Sequence, residues 1–254
     1  MWKDSPDYVR EASMDAQLER LGLAPHVTDA DLAQAYEDTP APEKGVIKNA
    51  VAMAHALTRG WAMTSERAVH LGSAALKESA RPAAFAVFLY HSGCFPLSAL
   101  ASAITLALVA RVPQVAVVAP APWDRALLFA CDFLSVPWVY STDVDVSALV
   151  AALGVAGDGV VVDLGLGGFP TPLAFTPEDY GVVDTLGPSP QAEAYARILG
   201  SLRRTDPSQR SRWYLAYSEE EVCARFVLPP RLLGGWPWDR LGPEDFLVRT
   251  TIFS

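Results

Sequence analysis

AFAVFLYHSGCFPLSALASAITLALVAR, residues 84–111, lies in a stretch from Pro82 to Ala110 that holds no Asp, Glu, Lys or Arg. A helix that spans a bilayer needs about 20 consecutive apolar residues. Here His91, Ser92, Gly93 and Pro96 divide the run into a first piece rich in Val, Phe and Tyr and a second rich in Ala and Leu. The pieces have the lengths of a strand and a helix, neither of them a membrane span. In the second piece Leu97, Leu100, Ala101, Ile104 and Leu108 recur at helical spacing, with Ser98, Ser102 and Thr105 between them, which predicts an amphipathic helix.

The same alternation continues downstream. QVAVVAP (114–120) reads as a second strand and PWDRALLFACDFLSV (122–136) as a helix with Asp124 in its first turn. PWVYS (137–141) is a third strand, DVSALVAALG (145–154) a helix capped by Asp145 and stopped at Gly154, and GVVVDLG (159–165) a fourth strand. Short apolar strands alternating with helices of ten to fifteen residues mark βαβ units, a parallel sheet and right-handed crossovers. The expectation is a Rossmann-like open parallel sheet over residues 83–170. HSGCFP then sits at the carboxyl end of the first strand, where ligands of open α/β sheets bind.

Upstream, MDAQLERLGL (14–23), TDADLAQAYEDT (28–39), APEKGVIKNAVAMAHALTRGW (41–61) and TSERAVHLGSAALKES (64–79) all read as helices. Thr28 or Asp29 caps the second, and Thr64 and Ser65 precede Glu66 in a capping-like arrangement. Residues 1–82 are thus expected to form a helical N-terminal layer. Residues 171–254 are expected to complete the same domain: a helix in SPQAEAYARILGSLRR (189–204), a strand in RWYLAY (212–217), a helix in SEEEVCARFV (218–227) and a Trp-rich terminal arm. The arm, with Trp236 and Trp238, packs on its own domain or on a second copy of the chain, which leaves a homodimer open.

Composition narrows the function classes. At 254 residues and 51 % hydrophobic, the chain can bury a large core. With 29 acidic and 20 basic residues the net charge is -9, which argues against nucleic-acid and membrane partners. The one basic stretch, RRTDPSQRSR (203–212), reads as a solvated loop or a phosphate site. Three cysteines without a CxxC pair do not make a disulfide framework, and the first 22 residues lack the apolar core of a signal peptide. A reducing cytoplasm fits this usage.

Residues 84 to about 170 resemble the cofactor-side α/β domain of histidinol dehydrogenases, whose fold is like that of the aldehyde dehydrogenases. The likeness is carried by VFLYHSGCFPLSALASAITLALVARVPQVAVVAPAP: a strand, a Gly-containing turn, a Pro-Leu-Ser helix start, an Ala-rich helix and a Val-rich strand ending in Pro. LLFACDFLSVPWVYSTDVDVSALVAAL and GDGVVVDLGLGG continue it. The resemblance implies that fold and a nucleotide crevice, with NAD(P) as cofactor. The family's turn has a Pro-Gly-Gly triplet where this chain has His91, Ser92, Gly93 and Cys94. Its catalytic Glu-His pair and its Gln, His, Asp and His zinc ligands have no counterpart in this sequence.

The candidate site gathers at the ends of the first and fourth strands. Cys94, just before a helix N-terminus, is a nucleophile or a small thiol that fills a tight turn. His91, three residues earlier, is a base, a phosphate contact or a metal ligand, and the sequence offers no further ligands for a zinc site. Asp163 meets a ribose hydroxyl or stabilises its own turn, and Gly165, Gly167 and Gly168 form a Gly-rich loop that the prolines of FPTPLAF keep from starting a dinucleotide-type helix. His91, Ser92, Gly93, Asp163, Gly165 and Gly167 are therefore the cofactor-binding candidates. Two functions follow: a descendant of the fold that has lost catalysis and acts as a binding or assembly module with the Trp-rich arm as its contact surface, or a small NAD(P)-dependent oxidoreductase. An enzyme requires a concave pocket where His91, Cys94 and Asp163 converge; a module has that crevice filled by its own side chains.

Overall fold

The computed structural model describes residues 14–61, 65–71, 74–177, 180–184, 190–199, 213–217 and 224–253. Three helices lead in: α1 over residues 14–20, α2 (Asp29–Asp38) and α3 (Ala41–Leu57). The Thr28 hydroxyl accepts from the Asp31 amide, and the Asp31 carboxylate accepts from the Thr28 amide, which closes a capping box on α2.

The helix expected over residues 64–79 is not there. β1 (Ser65–Leu71) and β2 (Ala74–Pro82) pair antiparallel, with Arg67 opposite Glu78, and β11 (Leu247–Phe253) extends the sheet in the order β1-β2-β11. A ladder to a strand from the far end of the chain outweighs local helix propensity, which is only a weak preference. The helical layer expected over residues 1–82 therefore ends with α3 among the described residues.

The central element is a five-stranded parallel sheet in the order β5-β4-β3-β6-β7. Its strands are β3 (Ala86–Tyr90), β4 (Val115–Val118), β5 (Trp138–Tyr140), β6 (Val160–Leu164) and β7 (Leu173–Phe175). The first four match the sequence reading. β7 lies where a loop was expected, since three residues are too few for a periodic signal. Side chains alternate between two cores, as a pleated strand requires. Ala86, Phe88 and Tyr90 face a core shared with α2, α3, α4 (Leu97–Val109) and α5 (Arg125–Phe133). Val87 and Leu89 face a second core built with α1 and α6 (Val146–Gly154).

Asp124 and Asp145 cap α5 and α6, each carboxylate accepting from an amide of the first turn. α4 departs from expectation. It is buried at every position from Leu97 to Ala107, because β3 covers one side while α3, α5, α7 (Pro190–Leu199) and the C-terminal arm cover the others. Its small polar residues are buried with it: Ser102 Oγ donates to the Trp236 carbonyl at 2.7 Å and Thr105 Oγ1 to Ala101 at 2.7 Å.

A further parallel sheet comprises β8 (Gly181–Asp184), β9 (Trp213–Tyr217) and β10 (Phe226–Leu228) in the order β10-β9-β8. β10 replaces the end of the helix expected over 218–227, where alternating Phe226, Val227 and Leu228 pair with β9; residues 218–223 lie outside the described residues. RRTDPSQRSR lies outside them too. No described helix is long and apolar enough to cross a membrane.

Burial has a consequence for alkaline stability. Desolvation pushes the Cys131 thiol up to about 12, with the neighbouring Asp132 charge adding to the effect. The native state thus holds a proton that the unfolded chain releases near its ordinary thiol value of about 8.5. Stability is fully present below that pH and is lost as pH rises toward the folded value, by about 1.4 kcal/mol per unit for one group. Melting scans between pH 8 and 11 should fall with pH, and Cys131→Ala should flatten the fall between 9 and 10. An unchanged slope in the variant would assign the loss to other groups.

Candidate functional site

β3 is the strand at which the sheet order reverses, with β4 on one side and β6 on the other. On the β6 side the expected crevice is closed. Gly165 has φ +82°, and a Cβ placed on it would lie 2.3 Å from Cys94 Cβ. The Tyr90–Gly165 bridge joins the same two loops. Beside them Phe95, Phe175, Tyr180, Trp236 and Trp238 form a cluster of tilted and edge-to-face rings, with Phe95 5.4 Å from Tyr180 and Phe175 5.0 Å from Trp238. Trp236 is fully buried and Trp238 partly so, donating through Nε1 to the Ala99 carbonyl at 3.3 Å. Of the two packings open to the Trp-rich arm, the Trp pair takes the one against its own chain, where large apolar rings are removed from water.

The sequence candidates separate accordingly. His91 Nδ1 accepts from the Gly93 amide at 3.0 Å, and its carbonyl accepts from the Cys94 and Phe95 amides, so His91 shapes the turn. Asp163 is buried and accepts from the Leu166 and Gly167 amides at 2.9 and 3.1 Å. It fixes its own Gly-rich loop, in which Gly167 at φ +75° is exposed. His91 and Asp163 are thus each engaged within their own turn.

On the β4 side there is an open cleft of about 650 Å³. Ser92, Gly93 and Leu97 come from the turn after β3 and the start of α4, and Ala119, Pro120 and Pro122 through Leu127 from the loop after β4 and the start of α5. α3 contributes Glu43 and α7 contributes Arg197. Trp123 is held against the wall by its Nε1, which donates to the Ala119 carbonyl at 3.2 Å. Tyr90 donates its hydroxyl to the Phe95 carbonyl at 3.1 Å, and burial, with the Asp124 charge behind it, pushes this phenol well above its ordinary range. It is a fixed neutral wall group. Of the sequence candidates only Ser92 and Gly93 line the cleft.

Glu43, Arg125 and Arg197 were not read from the sequence as site residues. The one local signal is APAPWDR, where a Pro-bearing loop runs into the Asp124 cap and places the next residue at a helix start. Glu43 is 4 % exposed, which is unusual for a carboxylate unless it is paired. Its Oε1 accepts from Arg197 Nε at 2.9 Å and lies 3.8 Å from the Arg125 guanidinium. Both arginines are about half exposed, at 57 % and 51 % of their side chains. No group of three or more His, Cys, Asp and Glu side chains that could hold a metal ion occurs among the described residues.

These features define a mixed α/β protein with a ligand-sized cleft at the carboxyl ends of parallel strands. No family model matches the chain, and no curated protein matches it. Among solved structures, it is similar to histidinol dehydrogenase from Elizabethkingia anophelis, at 10 % identity and a TM-score of 0.51, over 89 % of this chain and 76 % of that one. At that identity the likeness concerns the fold alone.

Proposed function

We propose that this chain is a small-molecule-binding protein on a histidinol dehydrogenase-like, Rossmann-like fold, and that it takes its ligand in the cleft between the loops after β3 and β4. The observation that carries the reading is the cleft itself: about 650 Å³, lined by two helix N-termini, a fixed Trp123 and a buried ion-paired Glu43. A volume of that size suits a small organic molecule. The strand order, with β3 central and the turn of direction beside it, is that of doubly wound nucleotide-binding sheets, and supports the Rossmann-like reading.

A binding role without the family's zinc-dependent oxidation draws on two facts. The sequence lacks the family's Glu-His pair and ligand set, and His91 and Asp163 are engaged within their own turns. The second reading, an NAD(P)-dependent oxidoreductase of the reducing cytoplasm, draws on the strand order alone.

A thermal unfolding scan against NAD, NADH, NADP and a panel of small metabolites tests both. A ligand at about a hundredfold its Kd adds roughly 2.7 kcal/mol, which raises the melting temperature of a chain this size by about 5–10 °C. Ser92 is exposed on the cleft rim, so Ser92→Trp should abolish the shift while leaving the unliganded melting temperature in place. A shift that survives Ser92→Trp would move the ligand elsewhere, and one confined to the nicotinamide nucleotides would favour the oxidoreductase.

A further inference from the structure

We infer that the cleft selects an anion, and that Arg125 and Arg197 form its clamp with Glu43 as the positioning residue; this rests on the proposal that the cleft is the ligand site. The formal charges on the wall cancel, two guanidiniums against Glu43 and Asp124. What separates the signs is their availability. Asp124 accepts from the Ala126 amide at 2.9 Å as the cap of α5, and Glu43 Oε1 is shared by both arginines. The guanidiniums are less used. Among the described residues Arg197 donates to Glu43 through Nε alone, and Arg125 approaches it at 3.8 Å without a hydrogen bond, so none of them takes the terminal N–H groups that a ligand would use.

The buried Glu43 carboxylate holds Arg197 by a hydrogen bond and keeps Arg125 near by charge before the ligand arrives, which lowers the ordering cost of binding. Glu43 is more than nine-tenths buried, and its Oε2 takes no hydrogen bond from any described residue while the side chain lines the cleft. That oxygen can accept from a hydroxyl on the ligand. Across the cleft the N-cap of the 13-residue α4 is Pro96, which provides no side-chain cap; the Ala99 amide goes to the Pro96 carbonyl, and the Leu97 and Ser98 amides have no side-chain capping acceptor. Two guanidinium forks and a helix N-terminus suit the three terminal oxygens of a phosphate better than the two of a carboxylate. Leu97, Leu127 and Trp123 supply apolar wall for an organic body. The ligand class is a small hydroxylated organic phosphate.

The test is a titration of the full chain with inorganic phosphate, then glycerol phosphate and acetate, read by two-dimensional NMR at the Trp123 indole and the Leu97 and Ser98 amides. Phosphate is expected to shift these signals saturably, glycerol phosphate to bind more tightly, and acetate more weakly. Arg125→Gln and Arg197→Gln should each weaken phosphate binding by roughly tenfold to a hundredfold, the effect of losing charge-assisted hydrogen bonds. Should Arg197→Gln melt early by leaving Glu43 under-paired, Arg125→Gln carries the test, because the Arg125 guanidinium makes no hydrogen bond with any described residue. Phosphate binding that both variants retain would overturn the clamp. Silence toward all three anions, with the same signals responding to a neutral compound from the thermal scan, would overturn the anion class and leave the cleft as the ligand site. Signals that respond to no compound found to stabilise the protein would overturn the cleft reading itself.

Discussion

Trp236→Ala should lower the melting temperature by about 10 °C, the largest loss expected from any single side chain in the terminal arm. Trp236 is 0 % exposed and packs against Tyr180 and Trp238 at ring separations of 6.1 and 5.9 Å. Removing a fully buried indole forfeits its transfer free energy and leaves a cavity, about 3–5 kcal/mol together. For a domain of this length each kcal/mol corresponds to about 2–4 °C. The Ser102 bond goes to the Trp236 backbone carbonyl, so the substitution leaves that bond's acceptor in place and the loss reports packing. Val227→Ala, at a position 42 % exposed, should change the melting temperature by less than about 2 °C and serves as the control. Equal small effects from both would place the arm off the core and restore it as a contact surface.

Gly165→Ala should cost about 2–5 kcal/mol, for two separable reasons. At φ +82° a residue with a Cβ pays about 1–2 kcal/mol for left-handed backbone, and the new methyl would meet Cys94 Cβ at 2.3 Å and Sγ at 2.9 Å. The overlap involves an atom fixed to the backbone of the turn, so relief requires the loops after β3 and β6 to part, at about 1–3 kcal/mol. Gly167→Ala isolates the first cause, because that site has φ +75° with nothing within 4 Å of the added carbon. Combining Gly165→Ala with Cys94→Gly isolates the second and should recover stability relative to Gly165→Ala alone. Equal melting temperatures for Gly165→Ala and Gly167→Ala would mean that the two loops are not in contact and that the crevice on the β6 side is open.

The sheet was readable because its first four strands are nearly unbroken apolar runs and each of the first three is followed by a helix. Asp145 caps the helix that it was expected to cap, and Asp124, expected within the first turn, caps α5 from just before it. What escaped the sequence depends on partners far along the chain. SERAVHL and ALKESARP have no strong strand character alone, and they become strands by pairing with each other and with Leu247–Phe253. α4 has an alternation of apolar and small polar residues that suggests one wet face, yet the arm returns more than 130 residues later to give Ser102 its acceptor. The cleft followed the same rule. A crevice at the carboxyl end of β3 was expected from HSGCFP, and the cleft does reach Ser92 and Gly93, but the side on which it opens was not legible. Apart from Phe95, the rings that fill the β6 side come from residues 175–238, and the charged groups on the β4 side come from α3, α5 with its cap, and α7. No local pattern joins Glu43 to Arg125 and Arg197.

The central claim is that the ligand lies between the loops after β3 and β4. The most direct measurement is a crystal structure of the protein with the most stabilising compound of the thermal scan bound. The account predicts ligand density against Trp123, with a polar or charged group within hydrogen-bond distance of Arg125 or Arg197. Density between the His91–Cys94 turn and the Gly165–Gly168 loop, with the aromatic roof displaced, would contradict it.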